Sequence, residues 1–119
     1  MPSSKELFLT CPYFTSQKVL ASKWSLFILH QLTEHESVRF NELLRLMPDD
    51  MTHPVLSRQL KALVEAGIVT RRDYGEVPPR VEYSLSPIGE EFRPVGEALG
   101  TWGEKYITYR KAADESLEA

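Results

Sequence analysis

Met51-Thr52-His53-Pro54-Val55-Leu56-Ser57-Arg58-Gln59-Leu60-Lys61-Ala62-Leu63-Val64-Glu65-Ala66-Gly67-Ile68-Val69 reads as one short helix with a signal at each end, running straight into a strand. Thr52 is a good N-cap, because its hydroxyl can accept one of the orphan N–H groups of the first turn. Pro54 falls in that turn, where no intrahelical hydrogen bond is lost. Gly67 stands where a left-handed residue ends a helix. At about 100° per residue, Leu56, Leu60, Leu63 and Val64 share one face and must be core. Pro54, Ser57, Arg58, Lys61 and Glu65 face the other way. That outer face is small and basic, as on a helix that reads DNA. A solvated surface helix would look the same in isolation, so the flanking segments have to decide.

Upstream, Pro12 to about Ala21 reads as a helix. Ser22 can cap a second, Lys23 to Leu32, whose Trp24, Phe27, Ile28 and Leu32 are spaced for a buried stripe. Ser37-Val38 suggests a very short strand. Arg39 to Met47 is a third helix, with Phe40, Leu43, Leu44 and Met47 apolar, and Pro48-Asp49-Asp50 is a turn. Downstream, Ile68–Tyr74 and Val81–Leu85 alternate as half-buried strands do. The turn chemistry between them, Gly75-Glu76-Val77-Pro78-Pro79, makes a hairpin with an exposed tip, one limb stiffened by its prolines. Pro87 opens a long last helix to about Tyr109, with Phe92, Val95, Leu99, Trp102, Tyr106 and Tyr109 recurring every three or four residues. Residues 112–119 are expected to fray. The predicted fold class is therefore α+β, mostly α: a winged helix-turn-helix with an extra N-terminal helix and a long C-terminal helix.

Composition agrees. The 119 residues suit a single domain with an ordered core over 11–109, and 42% apolar with 26% charged residues is ordinary for a globular protein. No apolar run reaches the about 18 residues of a membrane span, and the N-terminus lacks the regions of a signal peptide. One cysteine excludes an intrachain disulfide and fits a reducing cytosol. The net charge of −3 speaks against nucleic acid only until it is mapped. Residues 1–38 and 39–83 are each balanced, and the whole excess lies in 84–119. Within 53–72, Arg58, Lys61, Arg71 and Arg72 face Glu65 alone. A patch that modest suits two footprints on a dimer better than one on a monomer.

Several stretches together resemble the HxlR-type family of winged helix-turn-helix transcription regulators, within the MarR-like superfamily. The most specific is Glu76-Val77-Pro78-Pro79-Arg80-Val81-Glu82-Tyr83-Ser84-Leu85 with Gly89 after it. Cys11-Pro12, Lys23-Trp24, Arg39-Phe40-Asn41-Glu42-Leu43 and Leu56-Ser57-Arg58-Gln59-Leu60 follow the family's order. The match covers roughly Cys11 to Tyr106. Ala21-Ser22 depart from the family's usual pair of glycines, and the segments 33–38 and 48–51 are each one residue longer. The resemblance implies a bacterial, cytoplasmic, nucleoid-associated homodimer. Its N- and C-terminal helices would form the dimer, and it would bind a pseudo-palindromic operator. A repressor is expected rather than an activator, since occupying a promoter needs no further partner surface. The surplus of apolar positions on the last helix independently allows such a dimer.

The expected DNA-binding residues are Arg58, Lys61 and Ser57 on the outer face, with Thr52 and His53 at the helix start. Arg39 and Asn41 lie on the supporting helix and Arg80 in the wing. An ion pair of Arg80 with Glu82 or Asp73 is the competing reading. Arg71 and Arg72 are adjacent on a strand, so only one of them can face DNA. Cys11, just before a helix start, is either a redox-sensing thiol, as the resemblance implies for some members, or a small hydrophobe near the dimer seam. His30 and Glu34 sit at i, i+4 without a third ligand at a sensible spacing, so no metal is expected. No cofactor and no catalytic constellation can be read, and an enzyme is not expected. Aromatic residues near the seam leave room for a small-molecule effector. The alternative function is a winged-helix protein-interaction module that has lost DNA binding.

Overall fold

The computed structural model describes residues 2–118, with side chains through Glu115. Among the described residues seven helices and three strands follow in the order α1 (Ser4–Thr10), α2 (Pro12–Val19), α3 (Ser25–Glu34), β1 (Val38–Arg39), α4 (Phe40–Leu46), α5 (His53–Glu65), β2 (Val69–Asp73), β3 (Val81–Leu85), α6 (Pro87–Glu90) and α7 (Arg93–Glu118). The strands form one antiparallel sheet in the order β1-β3-β2. Val69 lies opposite Leu85, Arg72 opposite Glu82, and Val38 opposite Tyr83. This is the winged helix-turn-helix arrangement: α4 and α5 form the helix pair, and β2 and β3 form the wing.

The core is built where these elements meet. Ile28, Leu29 and Leu32 of α3, Leu43 of α4, and Leu56, Leu60 and Leu63 of α5 pack with Val38, Val69 and Leu85 of the sheet, all nearly or fully buried. The turn between α4 and α5 is held from both sides, because Met47 and Met51 are buried while Pro48, Asp49 and Asp50 stay exposed.

The structure departs from the expectations at several points. Helix α1 was not foreseen, although Ser3 and Glu6 form a capping box: the Ser3 hydroxyl accepts from Glu6 N–H and the Glu6 carboxylate from Ser3 N–H. The helix expected from Lys23 begins at Ser25, because the Ser22 hydroxyl accepts from Trp24 N–H and shapes a turn there instead. Phe27 is not part of a buried stripe; it is 37% exposed and lies at the mouth of a groove between α3 and α7. The single helix expected from Pro87 is two helices. Pro94 has no N–H, and its ring would clash with the carbonyl of Glu90 in a continuous helix, so the chain turns at Glu91-Phe92 and restarts at Arg93.

Helix α7 then runs through 112–118, where fraying was expected, and Ala119 lies outside the described residues. Its 26 residues span about 39 Å at 1.5 Å each. The radius of gyration is correspondingly large at 17.3 Å, against about 13–14 Å for a compact chain of this length. The start of α7 packs on α3, and Arg93 donates to the Thr33 carbonyl at 2.8 Å. Beyond that contact Trp102, Tyr106, Ile107 and Tyr109 are exposed, the three aromatic rings lying in a row at 5.6 and 6.0 Å.

Candidate nucleic-acid interface

Helix α5 is fixed at both ends. The Thr52 hydroxyl accepts from Val55 N–H at 3.4 Å. At the other end Ile68 N–H donates to the Leu63 carbonyl and Gly67 N–H to that of Val64, each at 3.0 Å, with Gly67 at φ +81°. That pair of bonds is the Schellman motif, and the positive φ is why glycine stands there. With Leu56, Leu60 and Leu63 anchored in the core, the rotation of the helix is settled. Ser57, Arg58, Lys61 and Glu65 point to solvent. Among the described residues neither Arg58 nor Lys61 has an ion-pair partner. Their donors are available to an incoming acceptor.

The supporting residues come together through one aromatic contact. Phe40 of α4 packs on the His53 ring, with centroids 4.3 Å apart. Phe40 lies between Arg39 and Asn41, and His53 follows Thr52, so the starts of α4 and α5 and all four expected residues meet there. Arg39, Asn41, Thr52 and His53 are exposed. The Glu42 carboxylate accepts from Arg39 N–H at 3.4 Å, which leaves the Arg39 side chain outside the cap.

Arg80 is placed differently. Its Nε and Nη2 donate to Glu82 Oε1 at 3.2 and 3.0 Å, and Nη1 lies 3.7 Å from Glu76. Asp73, the other carboxylate considered, instead accepts from Gly75 N–H at 2.9 Å and shapes the wing turn. The Arg80 guanidinium also lies 4.0 Å from the Tyr74 ring centre, and the Tyr74 hydroxyl donates to Glu82 Oε2 at 2.7 Å. The Tyr74 hydroxyl bond, with that of Arg80, holds the Glu82 carboxyl below the usual carboxylate range. The same bond to Glu82 raises the Tyr74 phenol. Sequence reasoning left Arg71 and Arg72 undivided and did not foresee that the Arg72 guanidinium lies 4.4 Å from the same ring centre. The signal was present: residues 72 and 74 share a face of a strand, and Glu82 is opposite Arg72 once the hairpin register is known.

Cys11 lies half-buried between α1 and α2. Its N–H donates to Leu7 O at 2.7 Å, and its carbonyl accepts from the N–H and hydroxyl of Thr15. His30 and Glu34 approach to 3.9 Å on the exposed side of α3, and no group of three metal-binding side chains occurs among the described residues. No helix among them is long and apolar enough to cross a membrane.

Residues 19–111 match the family model for the HxlR-like helix-turn-helix. The chain belongs to that family. As an HxlR-like protein it is 38% identical over 103 residues to the uncharacterised HTH-type transcriptional regulator YdeP of Bacillus subtilis, covering 87% of this chain and 79% of YdeP. Among solved structures it is similar to ytcD, at 35% identity and TM-score 0.76, with 83% of this chain and 99% of that one covered. The redox regulator HypR in its reduced form is also similar, at 33% identity and TM-score 0.78, covering 85% of this chain and 98% of that one. The HxlR-like family is one of transcription regulators, not enzymes, and the structure has the winged-helix architecture of its MarR-family neighbours.

Proposed function

We propose that this HxlR-like regulator is a single-domain, cytoplasmic, nucleoid-associated homodimer that binds a pseudo-palindromic operator and represses by occupying it. The observation that carries this is the outer face of α5, where Ser57, Arg58 and Lys61 stand exposed, without carboxylate partners among the described residues, on a helix locked in rotation by three buried leucines. Arg58 is the base reader in this scheme, since its fork can bond guanine O6 and N7. Lys61, Ser57 and Thr52 approach phosphates. His53 stays close to Phe40, and Arg39 and Asn41 meet the backbone where α4 crosses it.

Binding against salt tests the reading. Arg58→Ala is expected to cost about 1–3 kcal/mol on the operator and to relax selectivity at one base position per half-site. Stability should change by no more than about 0.5 kcal/mol, because the side chain is exposed. If the wild type binds every duplex more weakly than about 10⁻⁴ M, the chain is an interaction module instead. If Arg58→Ala leaves selectivity intact, another side chain reads the base.

Redox sensing through Cys11 is the second element of the proposal, supported by the likeness to HypR, whose oxidised form is also a structural neighbour. Cys11 is half-buried between two helices that hold no buried residue of their own, so modification there can shift them. Cys11→Ser is expected to keep operator binding and lose its response to diamide. An unchanged diamide response in the variant, or none in the wild type, returns Cys11 to a packing role.

A further inference from the structure

The wing has three arginines within reach of its flanks, and the structure distinguishes them. Arg80 is committed: three of its nitrogens face the Glu82 and Glu76 carboxylates, its plane covers Tyr74, and its side chain is 34% exposed. A phosphate approaching it would meet two carboxylates as well, and would have to displace charge-assisted bonds that are already made. Arg72 lies on the edge strand of the sheet, directly across from Glu82, and is exposed. Its guanidinium is held against the Tyr74 ring at 4.4 Å. Stacking of this kind holds the plane of the group and leaves its N–H donors unused. Among the described residues no carboxylate pairs with it. Arg71 is also exposed, but it shares the face of the buried Val69 and rests on no ring. A side chain held in place loses less rotamer freedom on binding than one that must first be ordered.

The tip gives no alternative. Between Gly75 and Pro79 the one charged residue is Glu76, Val77 is 98% exposed, and two prolines offer no N–H. The tip has no cationic side chain for a phosphate, so a charged wing contact has to come from the strands.

We infer that Arg72 is the wing's phosphate contact, and that Arg80 is a positioning residue that holds Glu82 and the Tyr74 ring on which Arg72 rests. This assignment depends on the DNA-binding reading above and changes which arginine does the work in the wing.

The experiment is the salt dependence of binding to one duplex selected by the wild type, measured between about 50 and 200 mM salt. The variants are Arg72→Ala, Arg72→Lys, Arg71→Ala and the pair Arg80→Ala with Glu82→Ala, which keeps the wing's charge balance. Thermal melts confirm folding, and Arg80→Gln with Glu82→Gln replaces the pair if it melts below the assay temperature. Arg72→Ala is expected to flatten the slope of log K against log salt by about 0.9 per protomer, the value of one phosphate contact, and to weaken binding about tenfold. Arg72→Lys should keep the slope. Arg71→Ala should change neither quantity. The pair should keep the slope and weaken binding a few-fold, and Arg72→Ala should cost less in that background than in the wild type.

A flattened slope in the Arg80/Glu82 pair overturns the assignment, since Arg80 is then itself a phosphate contact. So does an unchanged slope in Arg72→Ala, or equal losses from Arg71→Ala and Arg72→Ala. Strictly additive effects of the pair and Arg72→Ala overturn the positioning role alone. A wild type with no affinity for any duplex fails at the earlier step and removes DNA binding together with this assignment.

Discussion

Trp102→Glu combined with Tyr106→Glu is expected to give a folded monomer that has lost its operator. Trp102 is 64% exposed and Tyr106 49% exposed, so neither supports the core of its own chain, and the melting curve of the isolated protomer should hardly move. Their surroundings support a place in the proposed dimer seam. They continue the apolar stripe of α7 beyond its contact with α3, together with Ile107 and Tyr109. In a two-fold dimer each substitution counts twice, so four carboxylates would enter one apolar seam. Each buried ring contributes of order 150–250 Å² at about 25 cal/mol per Å², and the charges add a desolvation penalty several times larger than a lost contact. Separating the protomers also separates the two half-site contacts, and the gain from linking them, about 10²–10⁴ in affinity, goes with it. Sedimentation velocity at about 50 μM should show one slow species, and operator binding should fall at least about a hundredfold. A dimer that survives both charges would place the seam elsewhere.

The second large effect concerns a single methyl group. Gly89→Ala would put a Cβ 2.2 Å from the carbonyl oxygen of Ile68 and 3.4 Å from the Leu85 side chain. The obstacle is backbone and cannot rotate away. That same oxygen accepts from Ser86 N–H at 2.9 Å and from the Ser86 hydroxyl at 3.0 Å, and the hydroxyl in turn accepts from Gly89 N–H at 3.1 Å. Moving α6 to make room breaks this group of bonds and opens the layer beneath Leu85. A loss of about 3 kcal/mol or more is expected, at the upper end for a point substitution. For a domain of this size that is a fall in Tm of more than about 10 °C, measured by circular dichroism. A variant that melts with the wild type would show that α6 can ride away from the sheet at little cost.

Much of this architecture was legible because its signals are local. Thr52, Pro54 and Gly67 mark the ends of α5 by chemistry that acts within one turn, and the leucine spacing settles its inner face. The hairpin is equally plain from alternation around a Gly/Pro turn. Local signals also existed for two features that were missed. Ser3 with Glu6 is a capping pattern, and Pro94 interrupts any helix drawn through it. Phe27 was a different matter. Its position in the periodic stripe of α3 is correct, but burial needs a covering element, and α7 leaves the groove beside it open. Nothing within ten residues of Phe27 could say so. The division of roles among the wing arginines was hidden for a similar reason. The sequence allowed Arg80 a carboxylate partner or a groove. Which one it takes depends on Tyr74 and Glu82 meeting across the hairpin, and on Ser37 of the neighbouring segment reaching Glu82 at 3.4 Å.

The bonds around Ile68 have a consequence for the genome as well as for the protein. Helix α5 ends at Glu65, three residues before Ile68, and the segment that leads into α7 is tied to the Ile68 carbonyl. The part that would read bases is thus bonded to the segment that leads toward the part that would set the distance to the second protomer. Adding one base pair between half-sites moves one of them about 3.4 Å along the axis and about a tenth of a turn around it. A rigid two-headed reader cannot follow that displacement. For the proposed repressor, substitutions within a half-site would weaken the operator by degrees, whereas a single inserted or deleted base in the spacer would abolish binding and release the promoter. Operators of the proposed dimer would therefore be free to drift in letters but not in length.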